Sequence, residues 1–318
     1  MRAIVQDRYG DSEVLRAGEL ETPEPGEGQV RVAVRAAGVN MADWHLMTGR
    51  PLIVRAVLGF RAPKTRVRGQ DVAGVIDAVG PGVTSFTVGD DVFGEASGSF
   101  AEYVVTGADR LVRKPANVSF EQAAATPMGG YTALQALRAA GNVAGLSVVV
   151  TGAGGGVGSA LVQLAHARGA HVTAVCSAGK ADFVRSLGAD EVVDYATTDV
   201  TTGAPRFDVV FDFAGGRRVS HWRRVIVPRG VLVLGGDENG GAILGPLGRS
   251  FSSLIPRGIR VITLMASTRP DDLAEIARLL ADGELNATVA RSYPLADTAA
   301  AIDDLRAARY PGKLVVVP

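Results

Sequence analysis

The chain has 318 residues, 47% hydrophobic and 21% charged, with 33 basic side chains matched by 33 acidic ones. That length suits two domains, and a formal net charge of zero leaves no strongly basic field to draw in nucleic acid or an anionic membrane. The single cysteine, Cys176, excludes an internal disulfide framework and any site that needs two thiolates. The first residues reach Asp7 too soon for a secretory h-region and no apolar run is long enough to span a bilayer, so a cytoplasmic location is expected.

Residues 1–36 alternate apolar and polar side chains in short runs, Ala3-Ile4-Val5 and later Gln29-Val30-Arg31-Val32-Ala33-Val34-Arg35, separated by Pro23-Glu24-Pro25-Gly26. This is antiparallel β with a proline-gated turn. Ser119 and Gln122 have capping-box spacing ahead of three alanines, so a helix starts there and Pro127 interrupts it.

The pattern then changes. Val148-Val149-Val150 reads as a buried parallel strand and Gly152-Ala153-Gly154-Gly155-Gly156-Val157-Gly158 as a tight turn. Val157, Leu161, Leu164 and Ala165 recur at helical spacing up to Gly169, and His171-Val172-Thr173-Ala174-Val175 forms the next strand. Within this βαβ unit Ala153-x-Gly155-x-x-Gly158 matches the dinucleotide fingerprint with alanine in first place. A bare Gly155 admits a pyrophosphate, Gly158 lets helix and strand pack closely, and the helix start at Gly156 and Val157 offers unpaired N–H groups. Outside that context the same glycines would be an ordinary turn.

Further strand runs lie at 189–195, 207–213 and 230–234. The last two end in small residues, which puts Ala214, Gly215 and Gly235 where ligands bind in an open α/β sheet, with plain turn glycines as the competing reading. Residues 240–257 read as a loop with one short helix, 259–264 as a strand, and 270–282 and 297–308 as helices returning to the first domain. The fold class is α/β: a Rossmann doubly wound parallel sheet domain over 121–264, and a mostly antiparallel β domain from 1–120 and 265–318.

Several ordered segments carry a resemblance. Gly38-Val39-Asn40-Met41-Ala42-Asp43-Trp44-His45, Arg68-Gly69-Gln70-Asp71-Val72-Ala73-Gly74, Phe86-Thr87-Val88-Gly89-Asp90-Asp91-Val92, the run from Ser119 to Pro127, and Gly312-Lys313-Leu314-Val315-Val316-Val317 look like the medium-chain dehydrogenase/reductase superfamily. The match is closest to its zinc-free quinone oxidoreductase branch and covers nearly the whole chain. It implies that the first domain is a GroES-like catalytic domain. Metal-dependent members place a cysteine ligand after Gly-Val, a hydroxyl residue two further on, and a histidine in a Gly-His-Glu stretch. Here those places hold Asn40, Ala42 and Gln70, with Asp71 at the acidic position, and amides do not replace thiolate and imidazole. No metal is expected.

The resemblance also implies site residues. Asn40 would lie beside the nicotinamide and hold the substrate or its water, as an amide both donates and accepts; the alternative is a left-handed turn former. Asp43 would orient neighbouring groups or cap a helix start. His45 stands where zinc alcohol dehydrogenases keep a proton-relay histidine, with its hydroxyl partner replaced by Ala42. Thr126 would contact the nicotinamide end, or be an ordinary pre-proline residue. Tyr195 would lie near the adenosine phosphate, and Lys313 near the cofactor or on the surface at the start of a terminal strand.

The cofactor follows from charge. An NAD enzyme wants a carboxylate about 20 residues past the fingerprint for the ribose 2′-hydroxyl, yet Val175-Cys176-Ser177-Ala178-Gly179-Lys180-Ala181 brings no acid before Asp182. Ser177 can donate a hydrogen bond and Lys180 a point charge to a 2′-phosphate, which favours NADPH; Lys180 and Arg185 on a solvated helix face is the competing reading.

The function expected is an NADPH-dependent quinone oxidoreductase that passes hydride to a flat acceptor by orientation, without a metal. An NADPH enone or enal double-bond reductase is the alternative on the same scaffold, and Trp44, Met47 and Phe60 at the pocket mouth do not decide between them. A low-turnover NADPH-binding sensor or interaction protein is the alternative of another class. A secondary alcohol dehydrogenase would need zinc to polarise its alkoxide. By analogy with related enzymes a homodimer is expected through the strand at 259–264, and neither nucleic acid nor membrane is an expected partner.

Overall fold

The run Val148-Val149-Val150 has no polar residue to turn toward solvent, and all three valines are fully buried in the computed structural model, which describes residues 1–52, 55–204, 206–235 and 258–318. By contrast the segment Gln29–Val39 begins by alternating buried and less buried residues, as a strand with one face on a core does. The two patterns belong to two compact units, Met1–Tyr131 with Thr268–Pro318, and Thr132–Ser267.

The chain opens with β1 (Arg2–Val5), β2 (Arg16–Glu19), β3 (Gln29–Val39), α1 (Met41–Thr48), α2 (Arg55–Leu58), β4 (Asp71–Val79), β5 (Asp91–Glu95), β6 (Tyr103–Gly107), β7 (Leu111–Arg113), α3 (Phe120–Ala124) and α4 (Pro127–Ala140). Next come β8 (Ser147–Thr151), α5 (Gly156–Ala167), β9 (His171–Cys176), α6 (Ala181–Ser186), β10 (Glu191–Asp194), β11 (Phe207–Asp212), α7 (Val219–Val225), β12 (Ile226–Leu234) and β13 (Arg260–Thr263). It closes with α8 (Pro270–Ala281), β14 (Val289–Pro294), α9 (Thr298–Arg306) and β15 (Lys313–Val317).

In the first unit one sheet runs β14-β15-β3-β4-β5-β7, with β6 also against β3. Its pairings are antiparallel except β14 with β15. Register places the chemistry: Gly38 pairs with Asp71, Asp71 with Glu95, and Leu314 with Val39, so Lys313 falls opposite Asn40. Met47, Val32, Ile76 and Phe100 lie in the core beneath.

Ser119 and Gln122 form the expected capping box, each backbone N–H bonded to the other's side chain at 3.0 and 3.1 Å. The helix so started is interrupted as expected: α3 stops at Ala124, and Pro127 opens the separate helix α4, because the N–H that proline lacks is unpaired in a first turn anyway.

In the second unit six parallel strands run β10-β9-β8-β11-β12-β13. The order reverses between β8 and β11, which opens a crevice at their carboxyl ends. Asp212, fully buried, ties those ends together: it accepts Thr151 Oγ1 at 2.8 Å and Trp222 Nε1 at 2.9 Å, while Thr151 Oγ1 accepts the N–H groups of Phe213 and Ala214 at 3.0 Å each. The loop and short helix expected over 240–257 lie outside the described residues. Among the described residues no helix is long and apolar enough to cross a membrane.

α5 closes onto β8 only because residue 158 is glycine: a Cβ there would lie 2.1 Å from Gly152 O and 2.7 Å from Ala153 Cα. Gly158→Ala is therefore expected to cost roughly 1–3 kcal/mol. A urea or thermal unfolding curve that matches wild type would show that the turn relaxes around the methyl group.

Candidate active site

Asn40 caps α1 in extended backbone, φ −128° and ψ 155°, not in a left-handed turn. Its N–H donates to Asp43 Oδ2 at 2.8 Å, the third residue of the helix reaching back to the cap. Its Nδ2 donates to Asp71 Oδ2 at 2.9 Å, and its Oδ1 accepts from Lys313 Nζ. Lys313 Nζ also donates to Val39 O at 3.2 Å and stands 3.8 Å from Asp71 Oδ2. Asp71 accepts the N–H of Met128 at 3.1 Å, an anion at the positive end of α4. Four buried polar side chains from α1, its cap, β4 and β15 thus share one network, and Lys313 is no surface lysine.

Charges in that core do not behave as in water. Burial pushes the Asp43 carboxyl up to about 7; the Asn40 N–H, Lys313 and Arg68 oppose the shift and Asp71 adds to it. Burial pushes Asp71 up to about 6 against Lys313 and the Asn40 amide. Burial pulls the Lys313 ammonium down, with Asp71 and then Asp43 opposing. Asp43 Oδ1 and Arg68 Nε are both buried without a hydrogen-bond partner.

Other expected site residues of this unit are engaged elsewhere. His45 sets Nδ1 3.0 Å from Arg50 O and its ring edge-on to Trp44. Thr126 donates its hydroxyl to Gln122 O at 2.7 Å, a helix-end bond. Of the side chains expected at a pocket mouth, Met47 is fully buried core, Trp44 is buried with the Arg306 guanidinium 3.8 Å above its ring, and only Phe60 is exposed.

In the second unit Gly152, at φ +65°, turns the chain off β8, and Gly155 bonds back to Gly152 O at 2.9 Å before α5 begins. The N–H groups of Gly156, Val157 and Gly158 have no acceptor within the helix they start. A Cβ on Gly155 would meet nothing closer than Gly152 O at 3.3 Å. Lys180 lies across this turn: a Cβ on Gly154 would sit 2.5 Å from its Cδ. The lysine stem therefore covers the turn and does not lie along a solvated helix face. Ser177 accepts the Lys180 N–H at its carbonyl, 2.9 Å away. Asp182 is fully exposed and pairs with Arg185 at 2.9 Å. Ala214 borders Gly152. Gly215 has φ +68°, and Tyr195 is exposed just past β10. Gly235 has a packing reason to be glycine, since a Cβ there would meet the Phe213 ring at 2.2 Å.

Two family models match, one described as an alcohol dehydrogenase GroES-like domain over residues 26–116, the other as a zinc-binding dehydrogenase over residues 187–316. A chloroplast envelope quinone oxidoreductase homolog of Arabidopsis thaliana is 30% identical, with 100% of this chain and 98% of that protein covered. The chain belongs to the medium-chain dehydrogenase/reductase family, in its quinone oxidoreductase branch. An Arabidopsis thaliana protein named NADPH-dependent alkenal/one oxidoreductase, chloroplastic, is 32% identical over 100% of this chain and 80% of its own. The structure of Escherichia coli quinone oxidoreductase complexed with NADPH matches with a TM-score of 0.85 at 27% identity, 100% of both chains covered.

One of these models carries zinc in its description, so the donor set of this medium-chain oxidoreductase has to be tested for it. The Asn40 amide is engaged by Asp71 and Lys313, the Asp43 carboxyl is turned to the Asn40 N–H, and an ammonium already stands 3.8 Å from Asp71. Among the described residues no three His, Cys, Asp or Glu side chains converge. These residues do not fit a zinc ion.

Asp71, the hub of the network, was legible in the sequence only as an acidic residue near an absent metal site. Thr151, Asp212 and Trp222 had no motif to mark them. One signal was present: of 33 basic residues only Lys64, Lys114, Lys180 and Lys313 are lysines, and two of the four sit in the two candidate sites.

Carboxyls raised above their unfolded values contribute stability that is full below about pH 4 and lost as pH rises through 6 to 7. Asp43→Asn keeps an oxygen for the Asn40 N–H and removes that titration. Its unfolding free energy relative to wild type is expected to improve by on the order of 2 kcal/mol between pH 5 and pH 8. A difference constant across that range would mean Asp43 titrates normally.

Proposed function

We propose that the chain is an NADPH-dependent, metal-independent quinone oxidoreductase, with reduction of an enone or enal double bond as the second reading. The observation that carries the cofactor half is Lys180 lying over the glycine turn at the start of α5. A bare Gly155 and the first N–H groups of α5 suit a pyrophosphate. Ser177 and Lys180 bring a donor and a cation toward a 2′-phosphate, while Asp182, the first acid along the sequence after β9, is engaged with Arg185. The acceptor half is supported by relatives named for quinones and for alkenals or alkenones. They lend nothing to the sensor reading.

When bound, NADPH supplies the hydride. The chain's part is to hold and align. The Thr151–Asp212 bonds fix the strand ends beneath the glycine turn. Asn40 has its Nδ2 and Oδ1 taken by Asp71 and Lys313, so its role is to hold those two in place, and its capacity to hold a water is small. Without a Lewis acid, charge arising on a reduced carbonyl has to be met by a proton, which favours acceptors that are reduced readily. A homodimer through β13, the end strand of the six-stranded order, and a cytoplasmic location consistent with the free thiol of Cys176 complete the proposal.

The test is a matched assay of NADPH and NADH oxidation against one quinone and one enone, with metal content measured on the same sample. Faster turnover of NADPH with the quinone and substoichiometric zinc are expected; a preference for the enone moves the assignment to the second reading, and no turnover with either sinks both. Lys180→Ala is expected to raise KM for NADPH roughly ten- to a hundredfold, the loss of one charge-assisted contact, and to leave NADH nearly unchanged. Light scattering on the eluting protein should give twice the 32.9 kDa chain mass.

A further inference from the structure

We propose that the first unit docks on an anionic lipid surface through the loop that follows α2, with Phe60 entering the bilayer interface and Arg50, Arg61 and Lys64 facing the headgroups. A net charge of zero, which argues against a membrane partner for the chain as a whole, averages over a segment that is far from neutral. Between Asp43 and Asp71 the sequence holds six basic residues, Arg50, Arg55, Arg61, Lys64, Arg66 and Arg68, and no acid. Three of the six are engaged within the unit. Arg68 is buried and donates to Thr65 O, Arg66 pairs with Asp7 at 2.8 Å, and Arg55 donates to Thr48 O and Gly49 O at 3.1 Å each, its guanidinium 4.4 Å from the centre of the Tyr9 ring. Arg50, Arg61 and Lys64 are exposed and have no ion-pair partner among the described residues. Phe60, next to Arg61, is 82% exposed, more than any other large hydrophobic side chain among the described residues.

The loop that presents these side chains is held at its base. The Lys64 N–H donates to Leu58 O at 2.8 Å and the Gly59 N–H to Arg55 O at 3.0 Å, while Tyr9 donates its hydroxyl to Gly59 O at 2.7 Å. Gly59, at φ +120°, turns the chain back so closely that a Cβ there would lie 2.1 Å from Ala62 O. The same tyrosine ring supports the residue before Arg50, since a Cβ on Gly49 would meet it at 2.7 Å. Tyr9 thus ties the backbone beside Arg50 and the base of the 59–62 turn to one ring, which keeps the three cations and the phenyl group together. An exposed phenyl ring gains nothing from a small soluble anion. A bilayer interface buries such a ring and sets negative headgroups against the cations beside it. Single-stranded nucleic acid also takes rings with cations, but along a groove in which successive rings stack on successive bases. Here a single ring stands at the tip of a turn. The docking is independent of the reductase reading, because it needs neither cofactor nor acceptor.

The experiment is flotation of the full-length protein with vesicles of phosphatidylcholine alone or with about one third phosphatidylglycerol, at low salt and at roughly 0.5 M salt, where screening is strong. Wild type is expected to float with the anionic vesicles at low salt, to stay behind with the neutral ones, and to be released by the high salt. Each of Arg50→Ser, Arg61→Ser and Lys64→Ser should weaken partition about fivefold, and the three together roughly a hundredfold. Phe60→Ser should weaken it by about tenfold. Phe60→Trp reports insertion: Trp44 and Trp222 are buried, so a shift of emission to shorter wavelength on anionic vesicles comes from the new indole. The proposal is overturned if wild type ignores the anionic vesicles or binds neutral ones equally well, a comparison that needs no variant to fold. It is also overturned if the triple variant binds as wild type does, which would place the contact on another surface, or if the Phe60→Trp emission does not move on bound protein. Tighter binding of a single-stranded DNA oligomer than of the vesicles would give the patch to nucleic acid and overturn the lipid reading.

Discussion

A carboxylate taken out of water without partners is among the least tolerable things in a protein interior, costing several kcal/mol unless charge and hydrogen bonds replace the lost hydration. Asp71 is such a group, fully buried at the first position of β4. Its partners come from separate parts of the chain: the amide at residue 40, the ammonium at residue 313 and the backbone N–H at residue 128. Pairing the last strand of the chain with the third one is what brings Lys313 to it, so the site in this unit exists only when the chain's end has been folded in. The helix that runs on into the second unit begins on the same carboxylate.

The second unit solves its own version of the problem with the same residue type. Asp212 is fully buried at the last position of β11, and its two oxygens are taken by a hydroxyl from β8 and an indole from α7. Asp71 gathers groups that can carry charge, and its surroundings push its pKa away from the ordinary value. Asp212 gathers neutral donors, which fix geometry. One carboxylate sits in a charged network and the other pins the two strand ends between which an open α/β sheet binds its ligand.

What the sequence revealed depended on how local each signal was. The valine run, the glycine turn and the capping box are governed by neighbours within a few residues, and they could be read directly. The break at Pro127 was equally local, but that the proline also begins a new helix was not marked, because proline signals a break in either direction along a helix. Met47 was placed at a pocket mouth because position relative to a motif says nothing about which side of a short helix faces the core. Lys313 stayed ambiguous for a related reason: a lysine at the start of a terminal strand is usually solvated, and its burial follows from a strand pairing that spans most of the chain.

Residue choice supplies what spacing could not. Where this chain needs a charge that stays on, it uses arginine in forks of carboxylates: Arg31 between Glu24 and Asp77, and Arg278 among Glu275, Asp282 and Glu284. Two of its four lysines, Lys114 and Lys313, have buried side chains instead, where a compact head fits more readily than a planar guanidinium. Lys114 shows that compactness alone is sometimes the reason, for its Nζ donates to Val118 O at 2.8 Å and Pro115 O at 3.2 Å and touches no part of either candidate site. Lys114 also stands 3.6 Å from Asp91, an exposed carboxylate, whereas the carboxylate beside Lys313 is fully buried and an amide side chain binds its head group. A head group chosen only to fill space would have been cheaper to satisfy with backbone oxygens than with a carboxylate that itself resists ionising at that depth. Placing two groups that each destabilise the other's absence in one dry interior is costly, and both are bonded to Asn40, which stands where the metal-dependent members of the family keep their thiolate.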